Sequence, residues 1–131
     1  MSQENVEIVR RAYDALNRRA YDAWVAFFQS DVEFHGLPEN PDARVYRGHD
    51  GVREWIKGVC KVLDARFEPE EVTEAGDFVL LSVRASVMPR GSSIRVEQRV
   101  FNVVEMKAGK AQRLWGYRTK AEALEAVGLS E

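Results

Sequence analysis

The sequence predicts an α+β fold in which helices come first and hairpin-linked strands follow. Up to about residue 63, apolar side chains mostly recur at the three- and four-residue spacings of amphipathic helices. From residue 66 onward they alternate with polar ones, and the short turn segments AGD, PRGSS and KAGK separate the alternating runs. Strands joined by such short turns pair antiparallel, whereas a parallel sheet needs a crossover between strands. The predicted class is therefore α+β, in a single domain spanning residues 1–131.

Four helices are predicted, each from one apolar face. Residues 5–17 form the first, and its apolar face consists of Val6, Val9, Tyr13 and Leu16. A short second helix, which ends at residues 30–31, presents Trp24, Phe27 and Phe28 on one side. The third is capped by Asp50, and its apolar face consists of Val52, Trp55, Ile56, Val59 and Leu63. The fourth, over residues 120–127, is followed by Gly128, and glycine is common just after a helix.

Strands are predicted at residues 32–35, 66–74, 78–88, 94–106 and 111–118. The 66–74 strand is the weakest, because Pro69 cannot donate to the hydrogen-bond ladder of a sheet. Residues 36–44 contain two prolines and predict a loop. The predicted order is helix, helix, strand, helix, a meander of strands, and a closing helix.

The composition limits the classes of function. The formal net charge is −2 and basic residues are interleaved with acidic ones, so no nucleic-acid partner is indicated. The only cysteine, Cys60, excludes an intrachain disulfide and a cysteine-based metal site, and is expected to be a buried, inert thiol. No metal or cofactor is predicted. No apolar run approaches a membrane span, and the N-terminus MSQENVEIVRR lacks the apolar core of a signal peptide. We therefore expect no membrane partner and a cytoplasmic location.

Several segments together resemble the SnoaL-like families of the nuclear transport factor 2-like, or ketosteroid isomerase-like, superfamily. They are ENVEIVRRAYDALN, DVEFH, VYRGHDGVREW, the AGD turn, the pair Gly109-Lys110, and AEALEAVGL. The resemblance covers nearly the whole chain. It implies a curved antiparallel sheet wrapped against N-terminal helices into a cone, with an apolar pocket inside, usually in a homodimer. It implies little about chemistry, since the superfamily includes isomerases, cyclases, hydrolases, dehydratases and non-catalytic domains.

The residues that act in ketosteroid isomerases are not found at the matching positions. Those enzymes use a carboxylate base and two hydrogen-bond donors, a tyrosine and a protonated aspartate. By the resemblance, the base falls near Gly36, the tyrosine at Ala12 and the aspartate at Phe101. Tyr13 is one residue away from the tyrosine position, about 100° around the helix. Steroid isomerisation of that kind is not predicted.

The segment VYRGHDGVREWI, residues 45–56, raises the question of a phosphate-binding loop. A Walker motif needs a lysine and a hydroxyl residue after its second glycine, and a dinucleotide fingerprint needs a third glycine after a buried parallel strand. Neither is predicted here. We expect Gly48 and Gly51 to shape the loop and to allow close packing of the third helix.

His35 is the leading candidate for acid–base chemistry, because an imidazole titrates near neutral pH. Strand alternation places it with Glu33, on the face opposite Val32 and Phe34. The sequence leaves open which face is the inner one. If His35 points inward it can move a proton beside the helix that carries Tyr13. The alternative is a hydrogen-bonded histidine at the rim of the pocket.

The 94–106 strand offers a second candidate. One of its faces carries Arg95, Glu97, Arg99, Phe101 and Val103, and the other carries Ile94, Val96, Gln98, Val100, Asn102 and Val104. A Glu97–Arg99 pair inside the pocket would polarise a substrate or water, with Tyr13 as a further hydrogen-bond donor. Relatives of limonene-epoxide hydrolase use an arginine between two aspartates in this way. The alternative is a solvated face or an ion-pair network at a dimer interface.

The aromatic residues predict a pocket for an apolar, ring-bearing ligand. The expected ligand contacts are Trp24, Phe28, Tyr46, Trp55, Phe101 and Trp115. Two kinds of function stay open. One is a cofactor-free isomerase, cyclase or hydrolase acting on an apolar or polyketide-like compound. The other is a non-catalytic protein that binds a hydrophobic ligand or serves as a dimeric interaction domain.

Overall fold

The computed structural model describes residues 2–36 and 45–128 of the chain. These residues form the helices α1 (Ser2–Asn17), α2 (Tyr21–Val25), α3 (Gly48–Val62) and α4 (Lys120–Ala126). Their strands are β1 (Phe28–His35), β2 (Val45–Arg47), β3 (Leu63–Ala75), β4 (Phe78–Pro89), β5 (Val96–Lys107) and β6 (Lys110–Tyr117). None of these described helices is long and apolar enough to cross a membrane.

The strands form one curved, unclosed sheet in the order β2-β1-β6-β5-β4-β3. Strands β3 to β6 are a meander in which each strand pairs antiparallel with the next. Strand β1 lies beside β6 and runs parallel to it. This direction is allowed because β1 and β6 are connected through α3 and the meander, and not through a hairpin turn. The predicted α+β fold with helices against a curved sheet is confirmed, and the sheet is mixed.

Most elements lie within a few residues of their predicted bounds. The second helix is shorter than predicted, because it ends at Val25 and Phe28 already belongs to β1. The three-residue strand β2 was not predicted. The prediction that Asp50 caps α3 is wrong, since the helix begins at Gly48 and Asp50 lies in its first turn. Apart from Gly36, the predicted loop at 36–44 lies outside the described residues.

Helices α1 and α3 pack on one face of the sheet, which we call the inner face. It consists of the even-numbered residues of β1, β5 and β6 and the odd-numbered residues of β4. Buried side chains on it include Val32, Phe34, Leu81, Val83, Val100, Val104 and Leu114. They form one cluster with Val9, Tyr13, Leu16, Val52 and Ile56 of the two helices. The opposite face, which we call the outer face, carries most of the charged side chains of the strands.

Asn17 holds the end of α1 against β3. Its Nδ2 donates to the carbonyl oxygen of Phe67, and its Oδ1 accepts from the Phe67 backbone N–H, both at 2.8 Å. Strand β3 is at the edge of the sheet, so this amide supplies the hydrogen bonds that a neighbouring strand would make. The two bonds place Tyr13, one helical turn earlier, over the inner face.

The interruption predicted at Pro69 is a β-bulge and not the end of a strand. The register between β3 and β4 shifts between Pro69 and Val72. At the shift, the backbone N–H of Glu71 donates to Ser82 Oγ at 3.0 Å. This side-chain bond replaces a lost ladder bond, and β3 continues to Ala75.

Gly48 and Gly51 allow α3 to begin close to β2, as the sequence predicted. Gly48 has a φ of +70°, in the left-handed region that glycine tolerates best. A Cβ on Gly51 would lie 2.9 Å from the backbone carbonyl carbon of Tyr46. Between them, His49 donates from Nε2 to the carbonyl oxygen of Phe28 at 2.8 Å. These contacts hold the start of α3 against β1 and β2.

We expect Gly51→Ala to destabilise the protein by about 1–3 kcal/mol, because the added methyl group overlaps backbone atoms that cannot rotate away. Gly58→Ala is the matched control in the same helix. Nothing lies within 4 Å of a Cβ at that position, and alanine stabilises a helix by about 0.5–1 kcal/mol relative to glycine. Urea unfolding followed by circular dichroism measures both. Equal stabilities of the two variants would contradict the close approach of α3 to Tyr46.

Candidate functional site

A cavity of about 300 Å³ lies between the inner face and the helices α1 to α3. Apolar side chains form most of its wall: Leu16, Trp24, Phe27, Phe28, Phe34, Trp55, Val59, Leu63, Phe67, Ala85, Val87, Val100 and Leu114. The polar residues that line it are Tyr13, His35, Gln98 and Asn102. Among the described lining residues there is no carboxylate, lysine or arginine. The size and the lining suit a small organic molecule.

Trp24, Phe28 and Trp55, three of the predicted ligand contacts, lie together in this wall. Trp24 is edge-on to Phe28, with ring centroids 5.2 Å apart, and 5.9 Å from Trp55. Trp55 in turn packs against Phe34 at 4.7 Å. Rings that support one another in this way lose little freedom when a ligand binds. The wall therefore offers a stiff aromatic surface to an apolar ring.

Tyr13 and Asn102 form the polar part of the wall. Tyr13 lies on α1 and is 6% exposed, and Asn102 lies on β5, on the inner face. Asn102 Nδ2 donates to the Tyr13 hydroxyl oxygen at 2.5 Å. Because that oxygen accepts the bond, the Tyr13 O–H remains able to donate to an atom inside the cavity.

Burial raises the pKa of Tyr13 to about 12, and the hydrogen bond from Asn102 lowers it only in part. Tyr13 is therefore protonated at neutral pH. A phenol whose oxygen accepts a hydrogen bond is also a stronger donor. The pair can bind a carbonyl oxygen and stabilise negative charge that develops on it.

His35 lies at the edge of the cavity, where β1 ends, and its imidazole is on the outer face. The ring stacks on Trp115 with centroids 5.5 Å apart, and Nε2 is 3.4 Å from Glu33 Oε1. Arg47 Nη1 lies 3.2 Å from the other oxygen of Glu33. The hydrogen bond with His35, supported by Arg47, lowers the pKa of Glu33. His35 thus belongs to a polar cluster on the opposite side of the sheet from Tyr13.

Glu97 and Arg99 also lie on the outer face, and both are exposed. Arg99 Nε and Nη2 are each 2.9 Å from Glu70 Oε1, and Arg84 Nη1 is 3.9 Å from Glu70 Oε2. Glu70, Arg84 and Arg99 form a solvated ion-pair network across β3, β4 and β5, of a kind that contributes little stability. The structure does not bring Glu97 and Arg99 together with Tyr13 or with the cavity.

The other three predicted ligand contacts lie outside the cavity lining. Tyr46 packs edge-on against Phe34, with centroids 6.4 Å apart. Phe101 lines a groove of about 460 Å³ between the outer face and α4. Trp115 is the outer-face partner of His35. Phe101 and Trp115 are separated from the cavity by the sheet, because neighbouring residues in a strand point to opposite faces.

Sequence reasoning missed Gln98 and Asn102, the polar residues through which β5 lines the cavity. The signal was present, because the inner face of this strand reads Val96, Gln98, Val100, Asn102, Val104. An amide on an otherwise apolar face requires a hydrogen-bond partner or a ligand when it is covered. Asn102 finds Tyr13, and Gln98 Oε1 accepts a hydrogen bond from Arg118 Nη1 at 3.0 Å.

Two further features bear on chemistry. Within residues 2–36 and 45–128, no group of three or more His, Cys, Asp or Glu residues could hold a metal ion. Cys60 is half-buried, and its Sγ lies 3.2 Å from the Tyr21 hydroxyl. Burial and the neighbouring thiol raise the pKa of Tyr21, so its phenol is protonated at neutral pH.

Residues 9–114 match the SnoaL-like domain, whereas no curated protein matches the chain. Among solved structures, the chain is similar to an NTF2-like protein of unknown function from Burkholderia pseudomallei. The TM-score is 0.79 at 23% identity, covering 98% of this chain and 99% of that one. TerC, co-crystallised with polyporic acid, has a TM-score of 0.79 at 24% identity, covering 93% and 96%. A candidate polyketide cyclase from Xanthomonas campestris has a TM-score of 0.77 at 18% identity, covering 97% and 98%.

The raised pKa of Tyr13 predicts a loss of stability in alkali. The stabilisation from keeping this phenol protonated is complete below the unfolded pKa of about 10 and is lost as the pH rises toward 12. Between pH 9 and pH 11, we expect the wild type to lose about 1 kcal/mol more unfolding free energy than Tyr13→Phe. Urea unfolding at both pH values measures this, and the variant cancels the contributions of the other tyrosines. Equal losses in the two proteins would contradict the burial of the phenol.

Proposed function

Because the chain belongs to the SnoaL-like family, we propose that it binds an apolar, ring-bearing small molecule in the cavity and converts it without a cofactor, as an isomerase or cyclase does. The ligand presents a carbonyl oxygen to Tyr13, and its rings lie against Trp24 and Trp55. The proposal gives Glu97 and Arg99 no part in the chemistry.

The observation that carries this proposal is the Tyr13–Asn102 pair within an aromatic wall. The phenol is buried and protonated, and its oxygen is already occupied by the Asn102 amide. Its O–H is therefore the donor left for a ligand. A wholly apolar ligand that expels water would leave this donor unsatisfied, at a cost of about 1–3 kcal/mol. A ligand with an accepting oxygen at that point avoids the cost.

Enolisation of a bound ketone is the chemistry that this pair suits. The bond between the α-carbon and its hydrogen breaks, a carbon–carbon double bond forms, and negative charge moves onto the carbonyl oxygen. Tyr13 stabilises that charge by its hydrogen bond, strengthened by Asn102. The proton passes to water at the open end of the cavity. In this step Tyr13 acts only on the carbonyl oxygen. The described lining residues include no carboxylate that could take the proton, which is why water is its acceptor.

Two structural neighbours support the class of ligand. TerC was co-crystallised with polyporic acid, and another neighbour is a candidate polyketide cyclase. Both are less than 25% identical to this chain. For that reason the aromatic wall and the Tyr13–Asn102 pair, and not the neighbours, are the main support.

A ligand-binding protein without catalysis is the second candidate. It is favoured by the absence of a carboxylate among the described lining residues, because such a group is the usual base for removing a proton from carbon. The dimeric interaction domain, the homodimer and the cytoplasmic location stay predictions.

We expect the wild type to bind 2-acetylnaphthalene about fivefold more tightly than Tyr13→Phe does, because the variant lacks the donor for the ketone oxygen. 2-Ethylnaphthalene, which lacks that oxygen, should lose this preference and bind Tyr13→Phe more tightly than the wild type, because only the wild type then leaves the phenol donor unsatisfied. Equilibrium dialysis measures both affinities. Tyr21→Phe is the matched control, since its hydroxyl contacts Cys60 and does not line the cavity. Equal binding of the ketone by the wild type and Tyr13→Phe would remove Tyr13 from the ligand site.

Catalysis is tested separately with 2-tetralone, a ring ketone with exchangeable α-hydrogens. We expect the wild type in D₂O to accelerate their replacement by deuterium, and Tyr13→Phe to reduce that acceleration by at least tenfold. Proton NMR follows the loss of the α-hydrogen signal. If 2-tetralone binds but exchanges no faster than in buffer, the protein is a ligand-binding protein and the catalytic part of the proposal is wrong.

A further inference from the structure

We propose that the ligand carries an alkyl substituent at the end away from its carbonyl oxygen, and that this substituent leaves the cavity and lies on an apolar ledge of the sheet. The ledge consists of Ala65, Val87 and Val96, which pair across β3, β4 and β5. The inference deepens the proposed function and rests on it, because it extends the ligand whose oxygen is bound by Tyr13. It makes Val96 a specificity-determining residue.

The cavity opens at one end of the sheet. Strands β1 and β6 end there, β5 begins there, and α3 passes into β3 at the same end. The cavity-lining residues at this end are Gly36, Leu63, Val87 and Gln98. Gln98 is exposed and the other three are half-buried, whereas Val100, two residues further into the sheet, is buried. A ligand that fills the cavity therefore meets solvent here.

The ledge continues the cavity wall past this opening. Val87 itself lines the cavity, and it pairs directly with Ala65 on one side and Val96 on the other. Directly paired residues point to the same face of a sheet, so all three side chains lie on the inner face. Val96 is two residues beyond Gln98 on that face. The apolar surface therefore runs from the cavity onto the ledge without a change of face.

No described strand flanks Val96 on the side away from β4. The pairing of β5 with β6 begins at Phe101 and Tyr117, so residues 96–100 of β5 pair only with β4. Val96 is 51% exposed as a result. A valine in this position has apolar surface left for contact with a ligand.

Other exposed apolar side chains lie around the same opening. Within residues 2–36 and 45–128, the exposed large hydrophobic residues are Val62, Ile94 and Val96. Val62 ends α3, directly before the lining residue Leu63, and Ile94 is two residues before Val96. Single exposed apolar residues are ordinary on protein surfaces, but these three occur together at the mouth of a cavity. This grouping favours an apolar extension of the ligand.

The charges at this end of the sheet lie on the outer face. Arg95 Nη2 is 2.9 Å from Asp64 Oδ2, and Arg19 Nη2 is 2.9 Å from Asp64 Oδ1. The ledge itself has no charged side chain. A hydrocarbon substituent gains by leaving water for this surface, whereas a charged one finds no partner on it.

The spacing indicates where the ligand carries this substituent. Asn102, which bonds to Tyr13, is six residues from Val96, about 20 Å along a strand. A two-ring ketone held at Tyr13 covers only part of that distance. A short alkyl chain on the ring position farthest from the carbonyl covers the rest. The inferred ligand is thus an alkyl-substituted aromatic ketone, with the ketone inside and the alkyl chain on the ledge.

The test compares 2-acetyl-6-butylnaphthalene with 2-acetylnaphthalene by equilibrium dialysis. We expect the wild type to bind the butyl ketone about tenfold more tightly, because part of the chain is removed from water. Val96→Ser should lower this preference to about threefold and bind 2-acetylnaphthalene as the wild type does, whereas Val96→Leu should keep the preference. Glu97→Ser is the matched control, since Glu97 is exposed on the outer face of the same strand. Sedimentation of each protein reports its oligomeric state.

The outcomes separate this inference from the proposed function. If the wild type binds both ketones equally, or if Val96→Ser keeps the tenfold preference, the ledge site is wrong while the ketone site stands. An unchanged preference together with a dimer that Val96→Ser dissociates would show that a second copy of the chain covers the ledge. If Val96→Ser weakens both ketones alike, Val96 supports the cavity and does not select the alkyl chain. If neither ketone binds the wild type, the proposed function fails, and this inference fails with it.

Discussion

The hydrogen bond between Tyr13 and Asn102 joins α1 to β5 across a wall that is otherwise apolar, and the candidate site depends on it. It satisfies two polar groups whose burial would be costly without a partner. It also orients the phenol, since the oxygen is occupied by the amide and the O–H is left for a ligand. A structural bond between a helix and a strand therefore also prepares a donor within the cavity.

The cavity itself requires that the helices cannot collapse onto the sheet. Protein interiors normally leave few voids larger than a water molecule. A cavity of about 300 Å³ therefore needs contacts that hold the helices in place above the sheet. Asn17 supplies it at the end of α1 by pairing with Phe67, and His49 supplies it at the start of α3 by bonding to Phe28. The rings of the wall then pack on one another and resist closing the remaining space.

The two faces of β5 separate two kinds of chemistry. Arg99 on the outer face pairs with Glu70 in solvent, where such a pair is weak and water can reach it. Gln98 and Asn102 on the inner face are neutral amides that tolerate an apolar surrounding once they are hydrogen-bonded. The inner face thereby supplies the cavity with hydrogen-bonding groups that carry no charge.

The sequence alone determined the α+β class, the order of the elements apart from the short strand β2, and the packing role of Gly48 and Gly51. These follow from spacing and local backbone geometry, which neighbouring residues set. It also contained the alternation of β5, but alternation defines two faces without saying which one the helices cover. Only the tertiary structure decided that Asn102 faces inward and Glu97 outward, and that β1 runs beside β6. Those choices depend on contacts between residues far apart in the chain, such as Tyr13 with Asn102, which no local pattern encodes.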